Sequence, residues 1–122
     1  MKKVHGSSET TGAPLSSAWE VGDLVIVSGQ IHADENWKLV GDTIEECFVA
    51  TMKRIESILN EAGLGKKDIV QIRIYLTDLS ELPAFNEVYK TYFEHPFPAR
   101  TALGVSALPL GATLEIEAVA SR

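Results

Sequence analysis

One cysteine, three scattered histidines, no apolar run long enough to cross a bilayer and no glycine-rich phosphate loop: much of protein chemistry is closed to this 122-residue chain at the outset. Cys47 has no second thiol with which to form an intramolecular disulfide, which suits a reducing, cytoplasmic setting. It cannot build a thiolate cluster either, and His5, His32 and His95 fall in three different segments without ligand spacing, so no metal site is expected. No apolar stretch approaches the ~20 residues of a membrane helix. The N-terminal MKKVHGSSETTG lacks the apolar core of a secretory signal, and no membrane partner is expected. GLGK at 63–66 lacks the spacing of a phosphate loop and follows a helix instead of a strand. Ser28-Gly29 is not set in the G-x-S-x-G of a nucleophile elbow. Lysine and arginine are outnumbered 11 to 17 by aspartate and glutamate, for a formal charge of −6. Nucleic-acid binders draw their affinity from cations set against phosphates, so no nucleic-acid partner is expected.

What is present is ordinary for a water-soluble domain: 45% apolar and 23% charged residues. The length suits one domain over residues 1–122. Residues 1–14 are rich in Ser, Thr and Gly and read as an irregular or edge segment with a short strand near Val4. Leu15 to Val21, the turn Gly22-Asp23 and Leu24 to Ser28 read as a hairpin. Gly29 follows at once, where a glycine marks a bulge or the close approach of another group. Residues 33–42 are polar, with a small hairpin around Asn36.

Residues 43–62 carry the strongest helical signal. Thr43 to Glu46 has capping-box spacing, with Asp42 as an alternative cap. Ile44, Cys47, Phe48, Met52, Ile55, Ile58, Leu59 and Ala62 form one apolar stripe, leaving Lys53, Arg54, Glu56 and Glu61 to face away. Gly63 stands where a helix-ending glycine belongs. Residues 69–77 alternate as a strand. Residues 81–94 read as a second helix, with Ser80 as cap and a stripe of Leu82, Phe85, Val88 or Tyr89, and Tyr92. The closing stretch reads as two strands, Thr101 to Ser106 and Leu114 to Ala120, joined by a Pro109/Gly111 turn. The result is an α+β fold: a mixed sheet with two helices on one face. The other face, holding either Arg73 and Tyr75 or Ile72 and Ile74, must meet water or another subunit.

Two features carry chemistry. Arg100 opens a strand just after Pro98; a guanidinium there is either an ion-pair partner or a clamp for a carboxylate or phosphate. Glu115 and Glu117 share one face of the last strand, either as a solvated surface or as a base that orients water. A nearby cation would lower the pKa of such a carboxylate and burial would raise it. Cys47, on the apolar stripe, is a small buried hydrophobe, and Trp19 and Trp37 are packing residues.

VIVSGQI at 25–31, EAGLG at 61–65, DIVQIRIYLTDLSELPAFNEVY at 68–89, FPAR at 97–100 and LEIEAVA at 114–120 occur in this order with family-like spacing. Together they resemble the RidA/YjgF family of small trimeric proteins, over nearly the whole chain. The resemblance implies a chorismate-mutase-like subunit, a homotrimer whose sheets form a central barrel, and a ligand cleft at each subunit interface. It implies hydrolytic deamination of reactive 2-imino or enamine acids to 2-keto acids and ammonia, with no cofactor. It assigns Arg100 to the substrate carboxylate and Glu115 to the attacking water. The Ala102 carbonyl assists, Ser28 and Gly29 line the cleft, and Asn86 matches an asparagine of the second helix. Two positions depart from the archetypal deaminases, Leu15 in place of a tyrosine and Ala102 in place of a cysteine. The missing tyrosine leaves a second function open, a non-catalytic trimer that binds small carboxylates to sense a metabolite or modulate a partner.

Overall fold

The computed structural model describes residues 2–6 and 13–122, and in it Thr43, not Asp42, caps the first helix, α1 (Ile44–Glu61). The Thr43 hydroxyl accepts from the Glu46 N–H at 3.1 Å, and the Glu46 carboxylate accepts from the N–H groups of Asp42 at 2.8 Å and Thr43 at 3.3 Å. Donors that the first turn would leave orphaned are thus satisfied reciprocally. Gly63 takes φ 78° just beyond the helix, the left-handed conformation that ends helices at little cost to glycine. Cys47, Phe48, Met52, Ile55, Ile58 and Leu59 are buried, as the stripe requires. Arg54 departs from expectation. It turns inward, half-buried, where Lys53 beside it remains in solvent.

The second helix, α2 (Leu82–Tyr92), is shorter than the expected 81–94 and follows a single 3-10 turn at Leu79–Glu81. Ser80 does not cap it: Asp78 caps the 3-10 turn, and α2 itself begins after Glu81 without a side-chain cap. The Asp78 carboxylate accepts from the Ser80 N–H at 3.0 Å and the Ser80 hydroxyl at 2.6 Å, and these bonds hold its pKa below the usual carboxylate range. The Ser80 hydroxyl, spent as a donor to that carboxylate, caps no N–H of its own.

Six strands, β1 (Lys2–His5), β2 (Ala18–Val21), β3 (Leu24–Ile31), β4 (Ile69–Leu76), β5 (Ala99–Gly104) and β6 (Leu114–Ser121), form one sheet in the order β1-β2-β3-β6-β4-β5. Every neighbouring pair is antiparallel except β4 and β5, which run parallel. A parallel pair needs a crossover, and α2 supplies it. The strand near Val4 forms as expected, and the small hairpin after β3 is closed by an Ala33–Leu39 bridge. β3 runs three residues beyond Ser28 because a bulge lets it continue. Val27 pairs with Ala118 and Gln30 with Ile116, so Ser28 and Gly29 together oppose the single residue Glu117.

Both helices pack on one face, where Phe48, Met52, Ile55, Leu59 and Phe85 meet Val25, Val27, Ile72, Ile74, Leu114 and Ile116 in a single core. The pleat is thereby decided. Ile72 and Ile74 belong to the core, and Arg73 and Tyr75 lie on the bare face with Glu115, Glu117 and Val119. Val4, Trp19, Ile26 and Val119 form a cross-strand apolar row on this bare face. The first three are 44–46% exposed in the single chain. Trp19 therefore lies outside the core of this chain.

Candidate active site

Arg100 sits near the start of β5, the edge strand, in register with Ile72 of β4, and so projects on the helical face. One amino group, Nη1, donates to Asn86 Oδ1 at 2.7 Å. The guanidinium carbon lies 5.0 Å from the centre of the Tyr89 ring. Asn86 and Tyr89 are three apart on α2 and therefore on one side of it. With Lys90, Phe97 and Pro98 they line a shallow cavity of about 360 Å³ that opens at the guanidinium. A guanidinium offers five N–H donors in a fixed fork. Asn86 is the one hydrogen-bond partner Arg100 has among the described residues, which leaves the outer side of the fork available to a planar anion. Ala102, in register with Ile74, follows on the same side of β5.

Glu115 lies on the opposite face of the sheet, between Ile31 of β3 and Tyr75 of β4. Burial, and then the like charge of Glu117, push its pKa above the usual carboxylate range. It forms no hydrogen bond or ion pair among the described residues, whereas Glu117 accepts from the Tyr75 hydroxyl and lies 3.9 Å from Arg73 Nη1. The two carboxylates that sequence leaves equivalent are thus distinguished: Glu117 is engaged by Tyr75 and Arg73, and Glu115 by no side chain among the described residues.

The bulge brings Gly29 against Glu115. A Cβ on residue 29 would fall 2.1 Å from Glu115 Oε2. Only a glycine lets the backbone approach this closely. Ser28 is tied to the preceding loop, its Oγ donating to the Ser16 carbonyl at 2.6 Å and its N–H to the Ser17 carbonyl at 2.9 Å. Leu15, 46% exposed, is next to that contact. Gly29→Ala forces the tip of a flexible carboxylate aside without touching the core. We expect a nearly unchanged melting temperature and, in any reaction that Glu115 serves, a loss of about 10²-fold, the cost of displacing its carboxylate by about 1 Å. Thermal melting beside steady-state kinetics checks this.

The sequence-predicted residues therefore gather into two groups that do not meet in one chain. Asn86, Arg100 and Ala102 lie on the helical side at the β5 edge, and Ser28, Gly29 and Glu115 lie on the bare side around the bulge. For Glu115 burial prevails, because Arg100 is on the other side of the sheet. Tyr89, which helical periodicity assigned to packing alone, lies directly beneath the Arg100 guanidinium. The i, i+3 spacing from Asn86 is the signal that places it in the site. Among the described residues no three His, Cys, Asp or Glu side chains are arranged to hold a metal. His32 is engaged through both ring nitrogens, with the Val40 carbonyl at 2.9 Å and the Thr113 N–H at 3.0 Å. No helix among the described residues is long and apolar enough to cross a membrane.

A family model described as endoribonuclease L-PSP matches residues 7–122. A RutC family protein of Pyrococcus abyssi is 41% identical over 108 residues, covering 88% of this chain and 85% of the relative. The human protein named 2-iminobutanoate/2-iminopropanoate deaminase is 37% identical over 123 residues, 98% of this chain and 90% of its own. The crystal structure of the yeast protein YEO7 superposes with a TM-score of 0.91 at 31% identity, covering 100% of this chain and 99% of that one.

Proposed function

Because the chain belongs to the RidA/YjgF family, we propose that it hydrolyses reactive 2-imino acids to 2-keto acids and ammonia in clefts between the subunits of a homotrimer. The observation that carries this reading is the separation of Arg100 from Glu115 on opposite faces of one sheet. A clamp and a base so placed cannot serve one small substrate from the same chain. They can when the bare apolar face of one subunit meets the β5 edge of the next, which also covers Trp19 and Ile26.

In such a cleft Arg100 would take the substrate carboxylate in its open fork. Glu115 of the neighbouring subunit would hold a water against C2 of the iminium, with the Ala102 carbonyl and the Ser28–Gly29 bulge completing the walls. Water adds to C2 while Glu115 takes one of its protons and returns it to nitrogen. The C–N bond then breaks as the C2 hydroxyl loses its proton, leaving a 2-keto acid and ammonium. The iminium is already electrophilic, so positioning and one proton carrier suffice. The name of the matching family model mentions an endoribonuclease. A chain of formal charge −6 is poorly matched to a phosphate backbone, and we do not adopt that reading.

The test is keto-acid release from 2-iminopropanoate and 2-iminobutanoate generated in place by an amino-acid oxidase, in competition with semicarbazide, with the assembly state measured by sedimentation. Faster hydrolysis by a trimer supports the proposal. Calorimetric binding of 2-keto acids without any acceleration would replace it with a non-catalytic carboxylate binder.

A further inference from the structure

Arg54 lies on α1, far along the chain from either half of the candidate site, and its contacts lead to Glu115. Its guanidinium stacks 4.0 Å from the centre of the Trp37 ring. Nη1 donates to the carbonyls of Asp34 at 3.1 Å and Ala33 at 3.4 Å, and Nε donates to Gln30 Oε1 at 3.0 Å. Trp37 adopts φ 62°, a left-handed conformation costly for a bulky side chain. Such a residue persists only where its surroundings over-determine it. Here the Asp34 carboxylate holds the turn through the N–H groups of Asn36 at 2.8 Å and Lys38 at 3.0 Å, and Arg54 packs against the ring.

Gln30 is 5% exposed, and its amide is used at both ends. Oε1 accepts from Arg54, and Nε2 donates to the Ser28 carbonyl at 3.1 Å. The carbonyl so held is inside the bulge, where the ladder between β3 and β6 is interrupted, while on the other side the Ser28 N–H is held by the Ser17 carbonyl. The next residue, Gly29, is the one in contact with the Glu115 carboxylate. A buried amide pinned by a charged donor on one side and by a carbonyl on the other has one orientation.

We propose that Arg54, acting through Gln30, is a positioning residue for Glu115: it holds the Ser28–Gly29 bulge against that carboxylate and so sets where the attacking water sits. The proposal rests on the hydrolytic reading above for its catalytic consequence, but the positioning itself is measurable without turnover.

Gln30→Glu separates the links. A carboxylate keeps the acceptor for Arg54 and gains an ion pair with it, but has no N–H for the Ser28 carbonyl. Arg54→Met removes the first link and preserves the aliphatic packing, and Arg54→Lys restores a cation without the fork. Turnover and thermal melting are measured on all three. The Glu115 carboxyl is titrated by 13C NMR, assigned with Glu115→Gln. Glu117 along its own strand, Tyr75 on β4, Arg73 beside Glu117 and, at the far edge, Lys2 on β1 are the charged and titratable groups on that face. All are the same in every variant, and Ile31 on β3 carries no charge.

The expected result for Gln30→Glu is a melting temperature close to wild type and kcat lower by about tenfold or more. KM should change little, because Arg100 holds the substrate on the other half-site. The Glu115 titration and the acid limb of the pH profile should move to lower pH as water reaches the carboxylate. Arg54→Met should shift the titration the same way and Arg54→Lys should recover part of it. Folded Gln30→Glu and Arg54→Met proteins in which Glu115 titrates as in wild type would overturn the proposal. If Arg54→Met does not fold, Gln30→Glu alone decides. If wild type hydrolyses no imine, the hydrolytic reading fails, and the NMR titration still decides whether Arg54 positions Glu115.

Discussion

Arg100→Ala is expected to fold, assemble and lose about a thousandfold in kcat/KM for 2-imino acids. Truncating one member of a desolvated, hydrogen-bonded charge pair costs on the order of 2–5 kcal/mol, and that range spans this loss. In the free chain Arg100 is exposed on an edge strand and bonded to Asn86 alone among the described residues. Its removal therefore leaves no buried charge unpaired, and melting should be almost unaffected. Arg100→Lys keeps the charge but gives up the planar fork, and should fall between wild type and alanine. Steady-state kinetics, sedimentation and calorimetric binding of a 2-keto acid check all three points. An assembled Arg100→Ala protein with wild-type turnover would remove Arg100 from the site.

Glu115→Gln should show two opposite effects. Loss of a positioned base lowers turnover by about 10²–10⁴-fold. Stability moves the other way. Burial and Glu117 raise the folded-state pKa of Glu115 above its unfolded value, so the native chain binds more protons than the unfolded chain between those two pKa values. The contribution of Glu115 to stability is then fully present below the unfolded pKa and is lost as pH rises through the folded one. At neutral pH the ionised carboxylate is a net cost, and Glu115→Gln should melt higher than wild type there. The difference should shrink as pH falls into the carboxylate range. The wild-type pH–rate profile shares the same origin: the proposed hydrolysis needs the carboxylate ionised, so its acid limb should lie above the ordinary glutamate range. Melting curves and kcat/KM measured across pH test both. A Glu115→Gln protein whose advantage over wild type is no larger at neutral pH than at acidic pH would contradict the burial argument.

Much of this molecule is written locally. The Thr43–Glu46 box, the apolar stripe from Cys47 to Leu59 and the left-handed Gly63 all form as the sequence implies. Each depends on contacts within four residues, or on a periodicity that any core would reward. The alternation in β4 and β6 is equally plain, and Arg100 and Glu115 stand out by residue type alone. The bulge was signalled by Gly29, because glycine at a strand position needs a reason.

Tertiary structure decided the rest. Whether Ile72 or Arg73 faced the helices depended on strand register, and a one-residue shift exchanges the two faces. That same register put Arg100 and Glu115 on opposite sides of the sheet. Glu115 and Glu117 have the same local sequence environment, and only the tyrosine and arginine of β4 tell them apart. Asp78 displaced Ser80 as a cap, and Arg54 left the solvent face for Gln30 and Trp37. Hydrogen bonds between distant segments, and the burial that raises a carboxyl's pKa, exist only once strands and helices are packed. Short-range preference selects the elements, and long-range register selects which side chains share an environment.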